Sequence, residues 1–274
     1  MKNKTLSSLK YLVLAMFTFL CLYPIVWLLL SSFKTNSELY ANPWGLPEHF
    51  SLINYVTAIV EGHIFQYFGN SVIIAVVAVS VSVLLSTMVS YAISRMFWKL
   101  SGVVKQLFLL GMMIPVYAMV VPLFNIFNTC NLLNTHLAVI LPHIAISFPM
   151  AIFIICGFLD TLPRELEEAA VMDGCNIYQI FFKIILPISK SSIVTVAVVV
   201  FINIWNDLLL PQTFLTDPSL MTLPVGLTEF QGQYATDYVT MIAAVIITII
   251  PSIIVYIFLH RNIMEGMVAG AVKG

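Results

Sequence analysis

A polar segment, residues 160–190, interrupts an otherwise apolar chain and holds the residues best suited to a functional site. Its core is a gapped pattern: Glu-Ala-Ala, three residues, Gly, nine residues, Ile, one residue, Leu-Pro. Two adjacent alanines leave room for another surface to approach, and carboxylates flank them. The pattern therefore predicts a protein-docking surface and no catalytic residue. The predicted docking residues are Glu168, Ala169, Ala170, Asp173, Gly174, Ile184, Leu186 and Pro187.

Local sequence rules predict that this polar segment folds as two short helices joined by a glycine turn. Pro163 suits a first helical position, and the three glutamates that follow it favour the positive end of a helix. Gly174 allows a left-handed turn after the first helix. Asn176 is predicted to cap the second helix, with Gln179 in the reciprocal position and Pro187 at its end. The predicted apolar faces are Leu166, Ala169 and Ala170 on the first helix, and Ile177, Ile180, Phe181, Ile184 and Ile185 on the second.

The composition requires a bilayer around this segment. The chain has 274 residues, of which 60% are hydrophobic and 9% charged, and its mean hydropathy is +0.99. A net charge of −1 provides no overall basic field that would attract nucleic acid. We predict an all-α membrane protein, because apolar stretches long enough to cross roughly 30 Å of hydrocarbon recur along the chain. The six predicted spans are residues 11–33, 70–93, 106–128, 138–158, 191–211 and 238–259.

The basic residues predict the orientation of these spans. With the amino terminus inside, eleven of the twelve Lys and Arg residues lie on the cytoplasmic side, and only Lys34 lies outside. Lys and Arg in short loops set membrane topology, so both termini are predicted to be cytoplasmic. The same orientation places the polar segment in the cytoplasm. The first span has no small-x-small cleavage site, so it is interpreted as a retained helix and not as a secretory signal.

Polar side chains within the spans favour an uncharged cargo. No Lys, Arg, Asp or Glu falls at the midpoint of a predicted span, which argues against ion-coupled transport. Amides beside an indole ring can bind the hydroxyls and the apolar faces of a sugar, although amides also link helices to each other. His143 is interpreted as an interhelical donor, and Asp207 is expected near the outer headgroups. The possible substrate-pathway residues are Asn203, Trp205 and Asn206.

Proline and glycine mark the remaining features. Prolines are predicted to interrupt the third span at residues 115 and 122 and the fourth at residues 142 and 149, either as simple kinks or beside a transport pathway. A short surface helix is predicted at residues 51–60, in the external part of the chain. By composition the glycine-rich tail from Gly266 onward is predicted to be disordered, although its slim side chains could also enter a groove on a partner.

The docking pattern and the six spans together resemble a carbohydrate-uptake ABC importer permease, of the type of the smaller permease of the maltose importer. The resemblance covers nearly the whole chain, and the Trp-Asn-Asp group and the C-terminal sequence indicate the carbohydrate branch. The matching groups are Ser31 to Lys34, Phe50 to Tyr55, Asn70-Ser71, Tyr91 to Arg95, Met113 to Pro115, Phe201 to Asp207, Thr222 to Leu227 and Gly270 to Gly274.

The resemblance implies a type I ABC importer permease fold in a bacterial inner (cytoplasmic) membrane. It implies a first helix and external segment at 1–69, a permease core at 70–260 and a cytoplasmic tail at 261–274. The implied partners are a second homologous permease, two ATPase subunits that dock on the polar segment, an extracellular or periplasmic sugar-binding protein and membrane lipid. The tail residues implied to contact the ATPase are Gly270, Ala271, Val272, Lys273 and Gly274.

The chain itself is predicted to be neither an enzyme nor a cofactor protein. It lacks a Gly-x-x-x-x-Gly-Lys-Ser/Thr phosphate loop, so ATP and Mg are expected in the partner ATPases. It also lacks a His-Glu-x-x-His sequence and any Cys or His spacing typical of a metal site. Two alternatives stay open at this point: an ABC permease for another solute, such as a glycerol phosphate compound, and a secondary transporter.

Overall fold

The computed structural model describes the backbone of residues 2–230 and 237–271, and the side chains of residues 9–230 and 237–259. Every regular element within these ranges is helical. A π-helical turn lies at Phe181–Ile185 and a 3-10 turn at Pro218–Leu220. The α-helices are α1 (Lys2–Ser31), α2 (Asn36–Ala41), α3 (Ile53–Val60), α4 (Ile64–Ser94), α5 (Ser101–Gly111), α6 (Val116–Thr129), α7 (His136–Leu159), α8 (Glu165–Met172), α9 (Ile177–Ile180), α10 (Leu186–Ile188), α11 (Lys190–Trp205), α12 (Leu209–Phe214), α13 (Leu223–Thr228) and α14 (Tyr238–Ala271).

Four of these helices contain an apolar stretch long enough to cross a membrane. These stretches are Leu9–Ser31, Ile64–Ser94, His136–Leu159 and Tyr238–Leu259. Two further candidates are pairs of helices joined at a sharp bend. Helices α5 and α6 are bent by 96° relative to each other, and Ile177–Ile188 and α11 are bent by 74°. The described chain therefore contains four candidate spans, or up to six if each bent pair crosses the membrane once.

The bend between α5 and α6 lies within the predicted third span, where an interruption at Pro115 is predicted, and the bend before α11 lies just ahead of the predicted fifth span. Between α5 and α6 the chain breaks just before Pro115, which has no amide hydrogen to donate to the preceding turn. The predicted fifth span is wrong at its end, because α11 stops at Trp205 and a separate short helix, α12, begins at Leu209, whose amide and that of Leu210 donate to the Asp207 carboxylate. Pro142 and Pro149 do not interrupt α7, which runs through both as a single helix.

One compact unit consists of Met1–Gln66 and Gly226–Ile250. Buried Leu39 packs there with Val239 and Ile242 from the start of α14. The Lys34 ammonium is fully buried and donates to the carbonyl oxygens of Asn42 and Pro43, at 3.0 and 3.3 Å. The short helix predicted at residues 51–60 is confirmed as α3.

The second compact unit consists of Tyr67–Val225 and Pro251–Gly274. Helix α7 packs against both α5 and α11. One cluster of buried side chains, Ile93, Ile152 and Cys156, joins the end of α4 to α7. A second cluster joins α6 and α7 to α12 through Phe127, Ala138, Leu210 and Phe214. These contacts position both functional features described below.

The C-terminal tail differs from its predicted disorder. Helix α14 continues through Gly266 and Gly270 to Ala271. Extending an existing helix adds one backbone hydrogen bond per residue and avoids the unfavourable nucleation step, which explains how a glycine-containing sequence stays helical here. The remaining predicted tail residues, Val272, Lys273 and Gly274, lie outside the described residues.

Candidate functional site

Helix α8 carries the Glu-Ala-Ala group of the polar segment. It starts at Glu165, two residues later than the predicted start at Pro163, and three glutamates occupy its first turn. Ala170 is buried, whereas Glu168 and Ala169 are exposed. The predicted common face of the two alanines is therefore divided: one alanine packs inward and the other is available to a partner.

A glycine-dependent turn ends α8 as predicted. Gly174 has a φ of +78°, in the left-handed region that glycine adopts without steric penalty. The Gly174 amide donates to the Val171 carbonyl at 3.0 Å, and the Cys175 amide donates to the Ala170 carbonyl at 2.9 Å. These two bonds form a Schellman motif, which satisfies the last carbonyls of the helix. Asp173 and Gly174 are exposed on the turn.

The predicted reciprocal cap of the second helix is confirmed. The Gln179 amide donates to Oδ1 of Asn176 at 2.9 Å, and the Asn176 amide donates to Oε1 of Gln179 at 2.8 Å. Both bonds satisfy amides that lack an intrahelical partner at a helix start. The sequence therefore determines both the end of α8 and the start of α9 through contacts within a few residues.

The rest of the second helix departs from the prediction. Pro187 does not end it, because α10 continues to Ile188. The turn before this proline is π-helical, and the Leu186 amide donates to the Phe181 carbonyl. A wider turn accommodates a ring that would clash with the carbonyl four residues earlier in a regular α-helix. Of the predicted apolar face, Ile180, Phe181 and Ile185 are buried, Ile184 is half-buried and Ile177 is exposed.

Arg95 fixes the polar segment to the end of α4. Its Nε donates to Oε1 of Glu167 at 2.6 Å, and only 4% of the Arg95 side chain is exposed. Its other nitrogens donate to the carbonyls of Leu159, Leu162 and Pro163, at 3.2, 3.0 and 3.2 Å. We call this set of groups the Arg95 junction. Because Leu159 ends α7, the guanidinium also lies at the negative end of that helix.

The pairing of Glu167 with Arg95 could not be predicted from the sequence. The available signal was weak: Arg95 is the first basic residue after the second predicted span, and three glutamates follow Pro163. Only the fold shows that Glu167 faces Arg95, whereas Glu168 faces outward. Two adjacent carboxylates thus have different surroundings: Glu167 pairs with Arg95 inside the fold, and Glu168 is exposed.

A second feature is a cavity of about 450 Å³ between α6, α7, α11 and the start of α12. We call it the Asp207 cavity. Asn203, one of the predicted pathway residues, lies in its wall. The other two do not belong to its described lining: Trp205 is buried against Phe68 and Phe201, and the Asn206 amide donates to the Ile202 carbonyl.

Two ionisable side chains meet in the wall of the Asp207 cavity. His143 Nε2 lies 3.3 Å from Oδ2 of Asp207, close enough for an ion pair if the imidazole is protonated. The alignment is not that of a hydrogen bond, and Nε2 has no hydrogen-bond partner within the described part of the chain. Across the described residues, no three His, Cys, Asp or Glu side chains are grouped closely enough to hold a metal ion.

Known proteins are similar to this chain in sequence and in fold. Residues 82–263 match the family described as binding-protein-dependent transport system inner membrane component. The chain is 37% identical over 281 residues to the arabinooligosaccharides transport system permease protein AraQ of Halalkalibacterium halodurans, and the match covers 100% of both chains. It is also 37% identical over 280 residues to the inner membrane ABC transporter permease protein YcjP of Escherichia coli, with 99% of each chain covered.

The fold is similar to one that has been solved. A crystal structure of a bacterial ABC transporter involved in the import of the acidic polysaccharide alginate matches 95% of this chain and 97% of its own chain, with a TM-score of 0.81. The sequence identity is 21%, so this likeness concerns the fold.

Proposed function

Because this chain belongs to the family of binding-protein-dependent transport system inner membrane components, we propose that it is a permease subunit of an ATP-driven importer for a sugar or oligosaccharide. The family consists of transport permeases and not of enzymes. The observation that carries the proposal is the geometry of the polar segment. Exposed Glu168 and Ala169 stand on a short helix that Arg95 fixes to the end of a candidate span.

The Arg95 junction connects this docking surface mechanically to two candidate membrane spans, α4 and α7. An ATPase that grips the exposed side of α8 would displace α8 and its paired Glu167. Arg95 would pass the displacement to α4, which it directly follows in the chain, and to the end of α7, since its side chain donates both to Glu167 and to the Leu159 carbonyl. Closure of the ATPase dimer would then move packed helices as rigid bodies between inward-open and outward-open states.

The proposed topology has six spans with both termini in the cytoplasm. In this topology α5 and α6 together would form the third span and α11 would form most of the fifth, so that the polar segment would lie on the cytoplasmic side. We retain the division into a first helix and external segment at 1–69, a permease core at 70–260 and a tail at 261–274. The tail from Gly270 to Gly274 would contact the ATPase.

The proposed complex has five kinds of component besides this chain. They are a second homologous permease, two ATPase subunits that bind ATP and Mg, an external sugar-binding protein, the cargo itself and the lipid of the bacterial inner membrane. The proposal gives this chain no cofactor and no nucleic-acid partner. A carbohydrate cargo is supported by the relative whose name specifies arabinooligosaccharides.

The test is a pull-down of the tagged full-length chain from detergent-solubilised native membranes, with mass spectrometry of the eluate and an assay of its ATPase activity. We expect a second permease, an ATPase and a sugar-binding protein to copurify. Recovery of a stable chain alone, without ATPase activity and with uptake driven by an ion gradient, would contradict the proposal and favour a secondary transporter.

A further inference from the structure

The Asp207 cavity has the size and lining of a small-molecule site. Its volume of about 450 Å³ lies within the roughly 300–1,000 Å³ that ligand pockets occupy. Apolar side chains from α6, α7 and α11 form most of the wall, and a few polar groups share it. The polar groups that line it are Tyr117, His143, Ser147, Asn203 and Asp207.

Asn203 is placed differently from the neighbouring amide of Asn206. The Asn206 side chain donates to the Ile202 carbonyl of its own helix at 2.9 Å and is not among the described residues that line the cavity. Asn203 lies in the cavity wall with its side chain exposed. An amide offers two donor hydrogens and an acceptor oxygen, so it can either donate a hydrogen bond to a hydroxyl group or accept one from it.

Asp207 is held by backbone amides on one side and faces His143 on the other. Its oxygens accept from the amides of Leu209 and Leu210, at 3.1 and 3.2 Å, at the start of α12. His143 lies 3.3 Å away on α7, more than nine-tenths buried, and its Nε2 is without a hydrogen-bond partner among the described residues. A carboxylate has about four lone-pair positions, so these contacts leave Asp207 free to accept from a bound hydroxyl.

The charge of the cavity wall favours uncharged solutes over anionic ones. None of the described residues that line the cavity is Lys or Arg, whereas Asp207 contributes a carboxylate. An anionic cargo group would meet the like charge of Asp207 with no Lys or Arg in the described wall to offset it, which is unfavourable in a partly desolvated site. Tyr117 adds an exposed aromatic ring to the same wall, suited to an apolar face of a ligand.

We propose that the Asp207 cavity is a cargo-binding subsite of this subunit, in which Asn203 and Asp207 bind hydroxyl groups of an uncharged sugar and Tyr117 covers an apolar face. His143 is a positioning residue that faces Asp207 at ion-pair distance. This inference rests on the proposed function and extends it, because it assigns cargo contact to this chain and an uncharged class to the cargo.

The test uses the whole transporter, with its ATPases, second permease and binding protein, in cells deleted for the native gene. The probes are radiolabelled arabinotriose, maltotriose, diacetylchitobiose and glycerol 3-phosphate, each measured for ATP-dependent uptake. For the sugar that the wild type imports, Asn203→Leu should raise the apparent KM about tenfold, the effect of losing roughly 1.4 kcal/mol of polar contact. Asn206→Leu is the matched control and should leave KM within about twofold.

Two further variants separate cargo contact from stability. Asp207→Asn keeps a side chain that can cap α12 but reduces its acceptor capacity, so it should raise KM with little change in the maximal uptake rate. His143→Phe should likewise raise KM, because it replaces the polar neighbour of Asp207 by an apolar ring, and His143→Gln, which keeps a polar group there, should recover part of the affinity. Immunoblots of membranes and the amount of assembled complex verify that each variant is present.

The outcomes distinguish the two levels of the proposal. If the wild type imports a probe without any need for ATP, the proposed function is wrong, and the subsite with it. If the wild type imports a sugar and the Asn203 and Asp207 variants keep its KM, the function stands and the subsite is wrong. Preferred import of glycerol 3-phosphate would overturn the uncharged class of cargo.

Discussion

The Arg95 junction and the Asp207 cavity each place a charged side chain inside a largely apolar group of helices, but they treat that charge differently. Every nitrogen of the Arg95 guanidinium donates to a protein oxygen, and its carboxylate partner comes from the polar segment. Asp207 instead binds two backbone amides, and the facing His143 nitrogen is left without a hydrogen bond within the described residues. The first arrangement suits a rigid connection, and the second suits a surface that accepts a further ligand.

This contrast predicts that damage to the Arg95 junction has the largest effect on stability. Arg95→Ala leaves Glu167 as an unpaired, mostly buried charge and removes the donors to three carbonyls, a loss of about 3–5 kcal/mol. We expect a clearly lower melting temperature of the purified complex. Arg164→Ala is the control, because Arg164 is exposed and its described contact is with the Phe97 ring at 4.6 Å.

If Arg95→Ala prevents assembly altogether, Glu167→Gln provides the graded version of the same test. The amide keeps the size of the side chain and one acceptor oxygen but loses the charge. Its melting temperature should fall between those of the wild type and Arg95→Ala. An unchanged melting temperature for both variants would mean that the junction does not stabilise the fold.

The next largest effect is expected at the turn between α8 and α9. Gly174→Val forces a branched residue to a φ of +78°, which adds about 1–3 kcal/mol of backbone strain. Crowding does not contribute, because a Cβ at this position would have no described atom within 4 Å. We expect ATP hydrolysis to continue while sugar uptake falls, measured as transported sugar per ATP hydrolysed.

A matched variant separates turn strain from side-chain size. Asn tolerates the left-handed conformation better than other non-glycine residues, so Gly174→Asn should retain most of the coupling. Normal uptake per ATP in the Gly174→Val transporter would show that this turn does not transmit the motion of the ATPase.

Glu168 tests the outward side of α8, where the effect should be limited to the partner. Glu168→Lys reverses an exposed charge and should weaken recovery of the ATPase about tenfold, on the order of 1.4 kcal/mol, without loss of the protein from the membrane. Glu61→Lys makes the same exchange at an exposed residue outside the polar segment and should have no effect on ATPase recovery. Loss of membrane insertion in Glu168→Lys would contradict the placement of α8 as a docking surface.

The same two regions show what can be inferred from sequence. The Gly174 turn and the Asn176 cap were predictable because each depends on contacts within five residues. The Arg95–Glu167 pair was not predictable, because its members are 72 residues apart and any of the three glutamates in the first turn of α8 could have been the partner of Arg95. The apolar composition likewise predicts a fifth span that continues to residue 211. Hydropathy alone does not show that α11 ends at Trp205, or that the Asp207 side chain accepts a hydrogen bond from the start of the next helix.

The smallest effect is expected at the exposed ion pair between Lys105 and Asp160. Lys105 Nζ lies 3.0 Å from Oδ2 of Asp160, a geometry as close as many buried pairs, but over a third of each side chain is exposed. Water and salt screen such a pair, so Lys105→Ala should destabilise the complex by about 0–1 kcal/mol. The measurement is the melting temperature at low and high salt beside that of Arg95→Ala. If Lys105→Ala lowered the melting temperature as much as Arg95→Ala does, burial and the number of hydrogen bonds would not explain why the Arg95 junction stabilises the fold.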